Sequence, residues 1–262
     1  MGRLFVKICG ITRQDQAEAI AALGVSALGF VAVPNTPRYL PLSAARWVGS
    51  LPRHVEKVGV FLDQDPGTIA TWVETAGLTA VQLHGQESPE MCRQLGEWLP
   101  GIRRIKALRI RCPADLEVAD LYRDCVETLL LDAYHPQRAG GTGQTLNWSE
   151  LASCSLPLPW LLAGGLNPDN VLQALSHLQP AGIDLSSGVE RQPGDKDLDK
   201  VRRLLQQLAS QGWAIAPGQP QPPASQGGSR PIPTAGIEGS ALAQTSPLSP
   251  LPTVPSVPEG GR

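Results

Sequence analysis

Short apolar runs rich in β-branched residues recur along the chain: LFVKIC (4–9), ALGFVA (27–32), KVGVFL (57–62), AVQLH (80–84), IRRIKAL (102–108), TLLLDA (128–133), WLLAG (160–164) and GIDLS (182–186). Their near-continuous apolar character predicts strands covered on both faces, as parallel strands are. Helical segments lie between them, with start signals that carry a mechanism. Asp65-Pro66, Ser88-Pro89 and Asn167-Pro168 each set a capping oxygen before a proline at the first helical position, where the missing N–H costs nothing. After Asp65, Ile69, Trp72, Val73 and Ala76 share one face and Gly77 supplies a stop. Thr12 with Asp15 reads as a capping box before Ala17, Ile20 and Ala21. Leu198, Val201, Leu205 and Leu208 form a last apolar stripe that closes near Trp213.

Eight strand–helix repeats predict an α/β fold, a (β/α)8 barrel over residues 1–213. The competing open doubly wound sheet lacks its G-x-G-x-x-G fingerprint after every strand. The pattern is weakest over 133–158, where only Asn147 to Cys154 suits a short helix. Composition changes the picture at the end of the 262-residue chain. Residues 214–262 contain no aromatic side chain, many prolines and only Arg230, Glu238, Glu259 and Arg262 as charges, so they read as a disordered, Pro-rich C-terminal tail.

Charge and cysteine usage mostly exclude functions. A net charge of −2 and a pI near 6.1 leave no footprint for nucleic acid or an anionic membrane. The most apolar stretch, 19–34, is broken by Gly24, Ser26 and Gly29, and the first residues run into a strand with no signal-peptide core. Five cysteines without a C-x-x-C pair argue against a disulfide framework and a zinc knuckle. The expectation is a cytoplasmic protein, with short loops and scattered charge favouring a monomer.

In such a barrel the active site lies at the carboxyl ends of the strands. Cys9-Gly10 ends the first, His84-Gly85 the fourth, Asp132 the sixth, Gly164-Gly165 the seventh, and Asp184 with Ser186-Ser187-Gly188 the eighth. Loops add Thr36-Pro37-Arg38 and Gly140-Gly141-Thr142-Gly143. Glycines and serines after strands 7 and 8 suit a phosphate held on backbone N–H groups, although tight turns alone would also use them. Cys9 alone reads as a small buried hydrophobe, but Lys7, two residues back on the same face, would favour its thiolate. Asp132 closes an apolar run, where desolvation favours the protonated form fit to act as an acid. Arg38 reads as a free loop cation, exposed unless a carboxylate ligand needs it. His84 is placed either to orient a ligand hydroxyl or to serve as a hydrogen-bonded structural histidine. Residue spacing leads to a sugar-phosphate enzyme with a thiol and a carboxyl group, and no further.

The segments VKICGIT (6–12), NTPRYL (35–40), VGVFLD (58–63), VQLHGQE (81–87), LLLDA (129–133), GGTGQTLNW (140–148), LAGGLNPDNV (162–171) and IDLSSGVE (183–190) together resemble the phosphoribosylanthranilate isomerase family of tryptophan biosynthesis. The chain departs from the family pattern at Ala32, where a second aromatic is usual, and at Thr36, where serine is usual. The resemblance implies an Amadori rearrangement of N-(5'-phosphoribosyl)anthranilate from aminoaldose to aminoketose. It implies Asp132 as general acid, Cys9 as general base and Arg38 as partner of the anthranilate carboxylate. His84 and Asp184 become candidates for ribose hydroxyls, and Gly143, Gly164, Gly165, Ser187 and Gly188 for the phosphate. It requires no metal or organic cofactor, and a small phosphorylated substrate is the expected partner. Two rivals stay open: another sugar-phosphate isomerase barrel, which would show paired aspartates, and an idle barrel whose tail docks a partner.

Overall fold

The computed structural model describes residues 2–133, 151 and 154–218. All eight predicted strands form: β1 (Arg3–Cys9), β2 (Ala27–Val31), β3 (Glu56–Phe61), β4 (Ala80–Leu83), β5 (Arg103–Ile110), β6 (Thr128–Ala133), β7 (Trp160–Ala163) and β8 (Gly182–Leu185). Each pairs in parallel with the next, and β8 pairs back onto β1 through Phe5–Gly182 to Ile8–Leu185. The sheet therefore closes into the (β/α)8 barrel, and closure leaves none of these eight strands at the edge of the sheet, although the first residues of β1 extend beyond its pairing with β2.

Five α-helices among the described residues cover the outside: α1 (Gln14–Ala22), α2 (Pro66–Ala76), α3 (Pro89–Trp98), α4 (Val171–His177) and α5 (Leu198–Ser210). Short 3-10 turns (Leu42–Ala44, Arg46–Ser50) connect β2 to β3, and a longer one (Pro113–Tyr122) follows β5. Asp65 accepts the Thr68 N–H at 2.9 Å and Gly77 ends α2 at φ 62°, as the sequence signals require. Ser88 accepts the Met91 N–H and opens α3.

The other two start signals fail for a shared reason, competition from another partner. The Asn167 side chain accepts the Asp169 N–H at 2.8 Å and shapes a turn, so α4 begins only at Val171. The Thr12 hydroxyl donates to the Gly194 carbonyl at 2.7 Å, and Arg13 occupies the cap position of α1 with no side-chain cap bond. That lost cap ties the loop after β1 to a hairpin, β9 (Glu190–Gln192) and β10 (Asp195–Lys196), that follows β8.

Inside the barrel the period-2 alternation stacks side chains in layers. At the amino end Arg103 pairs with Glu56, donates to the Thr128 hydroxyl at 2.9 Å and lies over the Phe5 ring. Above it sits an apolar layer that includes Ala27, Val58, Ala80, Ile105 and Leu161. Most strands turn their other faces to the helices, and that outer core runs from Leu4 and Val6 to Leu204 and Leu208.

The predicted boundary at residue 213 falls short. A further strand, β11 (Ala214–Ile215), pairs in parallel with Arg3 and Leu4 of β1. Ala216 N–H donates to Leu4 O at 2.9 Å, the Ser26 hydroxyl to Ala216 O at 2.5 Å, and Gly218 N–H to His54 O at 3.0 Å. β1 meets β2 only from Lys7 onward, so its first residues have free hydrogen-bonding groups, and β11 occupies them. The remainder of the proposed tail, 219–262, lies outside the described residues, as do residues 134–150. No described helix is long and apolar enough to cross a membrane. A chain truncated after Gly218 should melt at the temperature of the full chain. Truncation after Trp213 should lower Tm by roughly 5–10 °C, since it removes several hydrogen bonds of about 1 kcal/mol each; thermal unfolding followed by circular dichroism reads the difference.

Candidate active site

The lumen-facing positions of the strands end at the carboxyl mouth in Cys9, Val31, Leu62, His84, Arg109, Asp132, Ala163 and Ser186, with Val60, Gln82, Leu130 and Asp184 one step below. Together with Val33, Thr36, Arg38, Gly164, Gly165, Leu166 and Ser187 from the loops, they line one cavity of about 360 Å³, within the range of small-molecule sites. Eight of the residues singled out by sequence thus meet here: Cys9, Arg38, His84, Asp132, Gly164, Gly165, Asp184 and Ser187. Gly188 does not line the cavity; it packs where a Cβ would run into the Leu166 carbonyl, so its glycine serves close packing. Gly143 lies outside the described residues.

Three polar groupings organise the walls. In the first, Lys7 is fully buried and donates to Asp184 Oδ1 at 3.0 Å, across the β1–β8 pairing that closes the barrel. Burial works against the Lys7 charge, but Asp184 and then Cys9 outweigh it, so the ammonium is held more firmly than usual. Cys9 follows on the same face. Burial pushes its thiol up, and the lowering by Lys7 does not overcome it, so the expectation of a thiol depressed by Lys7 is corrected in sign.

The second grouping overturns the reading of Arg38 as a free cation. Its Nε and one terminal nitrogen reach Glu190 Oε1 and Oε2 at 2.9 and 2.6 Å, and Lys196 Nζ reaches Oε1 at 2.6 Å. Burial raises the Glu190 carboxyl, but the Arg38 and Lys196 hydrogen bonds outweigh it and hold it below the usual range. Gly10, at φ 80°, makes room: a Cβ there would stand 2.5 Å from Arg38 Cδ. Gln16 fixes the hairpin that carries Glu190 and Lys196 by bonding the Lys196 backbone at both N–H and C=O. Glu190 closes the segment IDLSSGVE, and nothing in its local sequence signals a partner as distant as Arg38.

In the third grouping His84 Nδ1 lies 2.9 Å from Gln82 Nε2, and its Nε2 lies 3.5 Å from Asp132 Oδ2. The Asp132 side chain is 28% exposed, so desolvation by the apolar run is only partial and its neighbour is an imidazole. Arg109, the register partner of Asp132, lines the same mouth. Sequence reading passed over Gln82 and Arg109, although period-2 alternation from His84 and from Ile105 and Ala107 points both into the lumen. The two family departures fit locally. Thr36 keeps the hydroxyl, which donates to Val33 O at 2.9 Å, and the buried Ala32 offers its carbonyl to Gln64 at 2.9 Å. On the seventh strand's loop, Gly164 and Gly165 adopt φ 94° and 69°, left-handed backbone that brings peptide groups to the cavity wall.

A family model described as "N-(5'phosphoribosyl)anthranilate (PRA) isomerase" matches residues 6–207. The chain belongs to this family. An N-(5'-phosphoribosyl)anthranilate isomerase of Synechococcus sp. (strain JA-3-3Ab) is 87% identical over 222 residues, covering 85% of this chain and 98% of that protein. One from Trichormus variabilis is 56% identical over 207 residues, covering 78% and 98%. The crystal structure of phosphoribosyl anthranilate isomerase from Thermotoga maritima superposes with a TM-score of 0.71 at 38% identity, covering 79% of this chain and 99% of that one. The family assignment makes the chain an isomerase of tryptophan biosynthesis acting on phosphoribosylanthranilate by the Amadori rearrangement. The 3-hexulose-6-phosphate synthase of Salmonella typhimurium, at 13% identity and a TM-score of 0.60, shares the fold alone.

The raised Cys9 thiol has a direct readout. Alkylation of the Cys9 peptide by iodoacetamide, followed by mass spectrometry across pH, should show a midpoint above the ordinary thiol value of about 8.5. Lys7→Met should move it higher still, because the cation that most favours the thiolate, ahead of Lys196, is gone; an unchanged midpoint would remove Lys7 from the site's electrostatics.

Proposed function

We propose that Asp132 protonates the ribose ring oxygen of phosphoribosylanthranilate and that Cys9 takes the C2 proton. The observation that carries this is that the thiol of β1 and the carboxyl group of β6 face one cavity from different sides of the barrel. Protonation of the ring oxygen breaks its bond to C1 as the nitrogen lone pair forms an iminium. The iminium acidifies C2, Cys9 as thiolate removes that proton, and the resulting enolamine tautomerises to the aminoketose. Lys7 supplies the standing positive charge beside the thiolate. Burial makes that thiolate a stronger base once formed, at the expense of its population near neutral pH.

Arg38 pairs with the anthranilate carboxylate. Glu190 already holds one edge of its guanidinium, so the planar fork is set before the substrate arrives and little rotamer freedom remains to be lost. Asp184, with Oδ1 committed to Lys7, has Oδ2 for a ribose hydroxyl. Backbone N–H groups around Gly164, Gly165 and Ser187 receive the phosphate. A structure of a phosphoribosyl anthranilate isomerase in complex with reduced 1-(o-carboxyphenylamino)-1-deoxyribulose 5-phosphate, 35% identical with a TM-score of 0.68, supports a ligand of this class. We read the chain as a cytoplasmic monomer. Among the described residues the exposed large apolar side chains are Leu62, Val118 and Leu121, although a relative from Thermotoga maritima is described as dimeric.

In an isomerase assay Asp132→Asn and Cys9→Ala should each lower kcat by about 10²–10⁴ with KM nearly kept. Near wild-type turnover by either variant would remove that residue from its role. Arg38→Ala should instead raise KM; an unchanged KM would take it out of the carboxylate site. Rescue of a tryptophan auxotroph lacking this isomerase, by the wild type and not by Asp132→Asn, extends the test to the cell.

A further inference from the structure

Gln82 takes no part in the chemistry described so far, yet it occupies the lumen position directly below His84. It is buried, with about 1% of its surface exposed, and it lines the cavity. Its amide nitrogen stands 2.9 Å from His84 Nδ1. An amide nitrogen donates and does not accept, so Nδ1 must be the acceptor and the proton of the neutral ring sits on Nε2. The other side of the ring is compatible with this: Nε2 faces Asp132 Oδ2 at 3.5 Å, which accepts from Nε2–H when the carboxyl proton is on Oδ1.

The reversed amide is the poorer arrangement. It would exchange an unpartnered Oε1 and one unpartnered amide hydrogen for two unpartnered amide hydrogens, and it would make Nδ1 the donor. It would also turn a bare Nε2 lone pair toward the carboxylate.

We infer that Gln82 is a positioning residue: it holds His84 as the Nε2–H tautomer aimed at Asp132 Oδ2, so that the proton Asp132 delivers resides on Oδ1. This rests on the reading of Asp132 as the acid. A neutral imidazole donor toward Oδ2 stabilises the carboxylate left after protonation of the ring oxygen. It adds no charge before that step. At 3.5 Å the approach lies at the outer limit of a hydrogen bond.

Nitrogen-15 NMR of the wild-type protein tests the tautomer without any variant. The chain has four histidines, and His84→Asn identifies the resonance. The expected result is Nε2–H for His84, and a predominant Nδ1–H form overturns the proposal. Gln82→Glu replaces the donor with an acceptor and should convert the ring to Nδ1–H or imidazolium. Gln82→Met, similar in volume, should leave a tautomer mixture. Both should lower kcat by about tenfold with KM within threefold, and Gln82→Met should do so at a Tm near that of the wild type. Variants that keep the tautomer and kcat also overturn it. Asp132→Asn assayed in parallel separates the two readings. If it stays active, the acid assignment fails whatever the tautomer; if it is inactive while His84 is Nδ1–H, only the role of Gln82 fails.

Discussion

The barrel depends on the pairing of its first and last strands, and the Lys7–Asp184 ion pair sits on that pairing. An eight-stranded barrel has a lumen only wide enough for side chains, so a charge placed there must find its counter-charge inside. Lys7 and Asp184 are register partners across β1 and β8, 3.0 Å apart. Removing one partner of such a pair leaves an uncompensated buried charge, at about 3–5 kcal/mol. The same ammonium is the cation that most opposes the effect of burial on the Cys9 thiol, so the contact that secures closure also acts on the thiol. Stability and chemistry cannot be separated at this point of the molecule.

Two further ion-paired groupings follow the same rule at different depths. Glu56 and Arg103 neutralise each other at the amino end, below the apolar layer. Arg38, Glu190 and Lys196 do so at the mouth, where Arg38 keeps about a quarter of its surface exposed and Glu190 only 4%. The gradient has a functional logic. Fully buried pairs define the shape of the barrel, whereas the partly exposed arginine retains donors that a ligand can use. The hairpin holding Glu190 and Lys196 is itself tied to α1 through Gln16 and to the loop after β1 through Thr12. The cavity wall is thus braced from behind by bonds among residues that do not line it.

Much of this was legible in the sequence because strands buried on both faces leave an unmistakable apolar run. All eight strands were placed to within a residue or two at each end, and the Asp65 and Ser88 caps formed because nothing nearby offered their oxygens a better partner. Thr12 and Asn167 were misread since a side-chain oxygen serves whichever donor or acceptor the tertiary fold presents, and sequence cannot show Gly194 beside Thr12. Arg38 was misread for the same reason, its partner lying 152 positions away. Gln82 and Arg109 were different: alternation from recognised neighbours placed them in the lumen, and the signal was available. The end of the barrel was drawn too early because Ala214–Ile215 is a strand of two residues, too short for any period to register.

That short strand has a consequence for the chain's topology. Ala214 N–H bonds to Gly2 O at 3.1 Å, and a side chain at Gly2 would collide with the Trp213 ring. The entry to β1 and the exit from the last helix therefore meet at one spot on the amino-terminal rim, across the barrel from the cavity. A closed ring of this kind has no privileged first unit. Hydrogen bonds hold the seam between β8 and β1, while covalent chain holds the other seven. The geometry of the cavity thus belongs to the closed ring and not to the point at which the chain enters it.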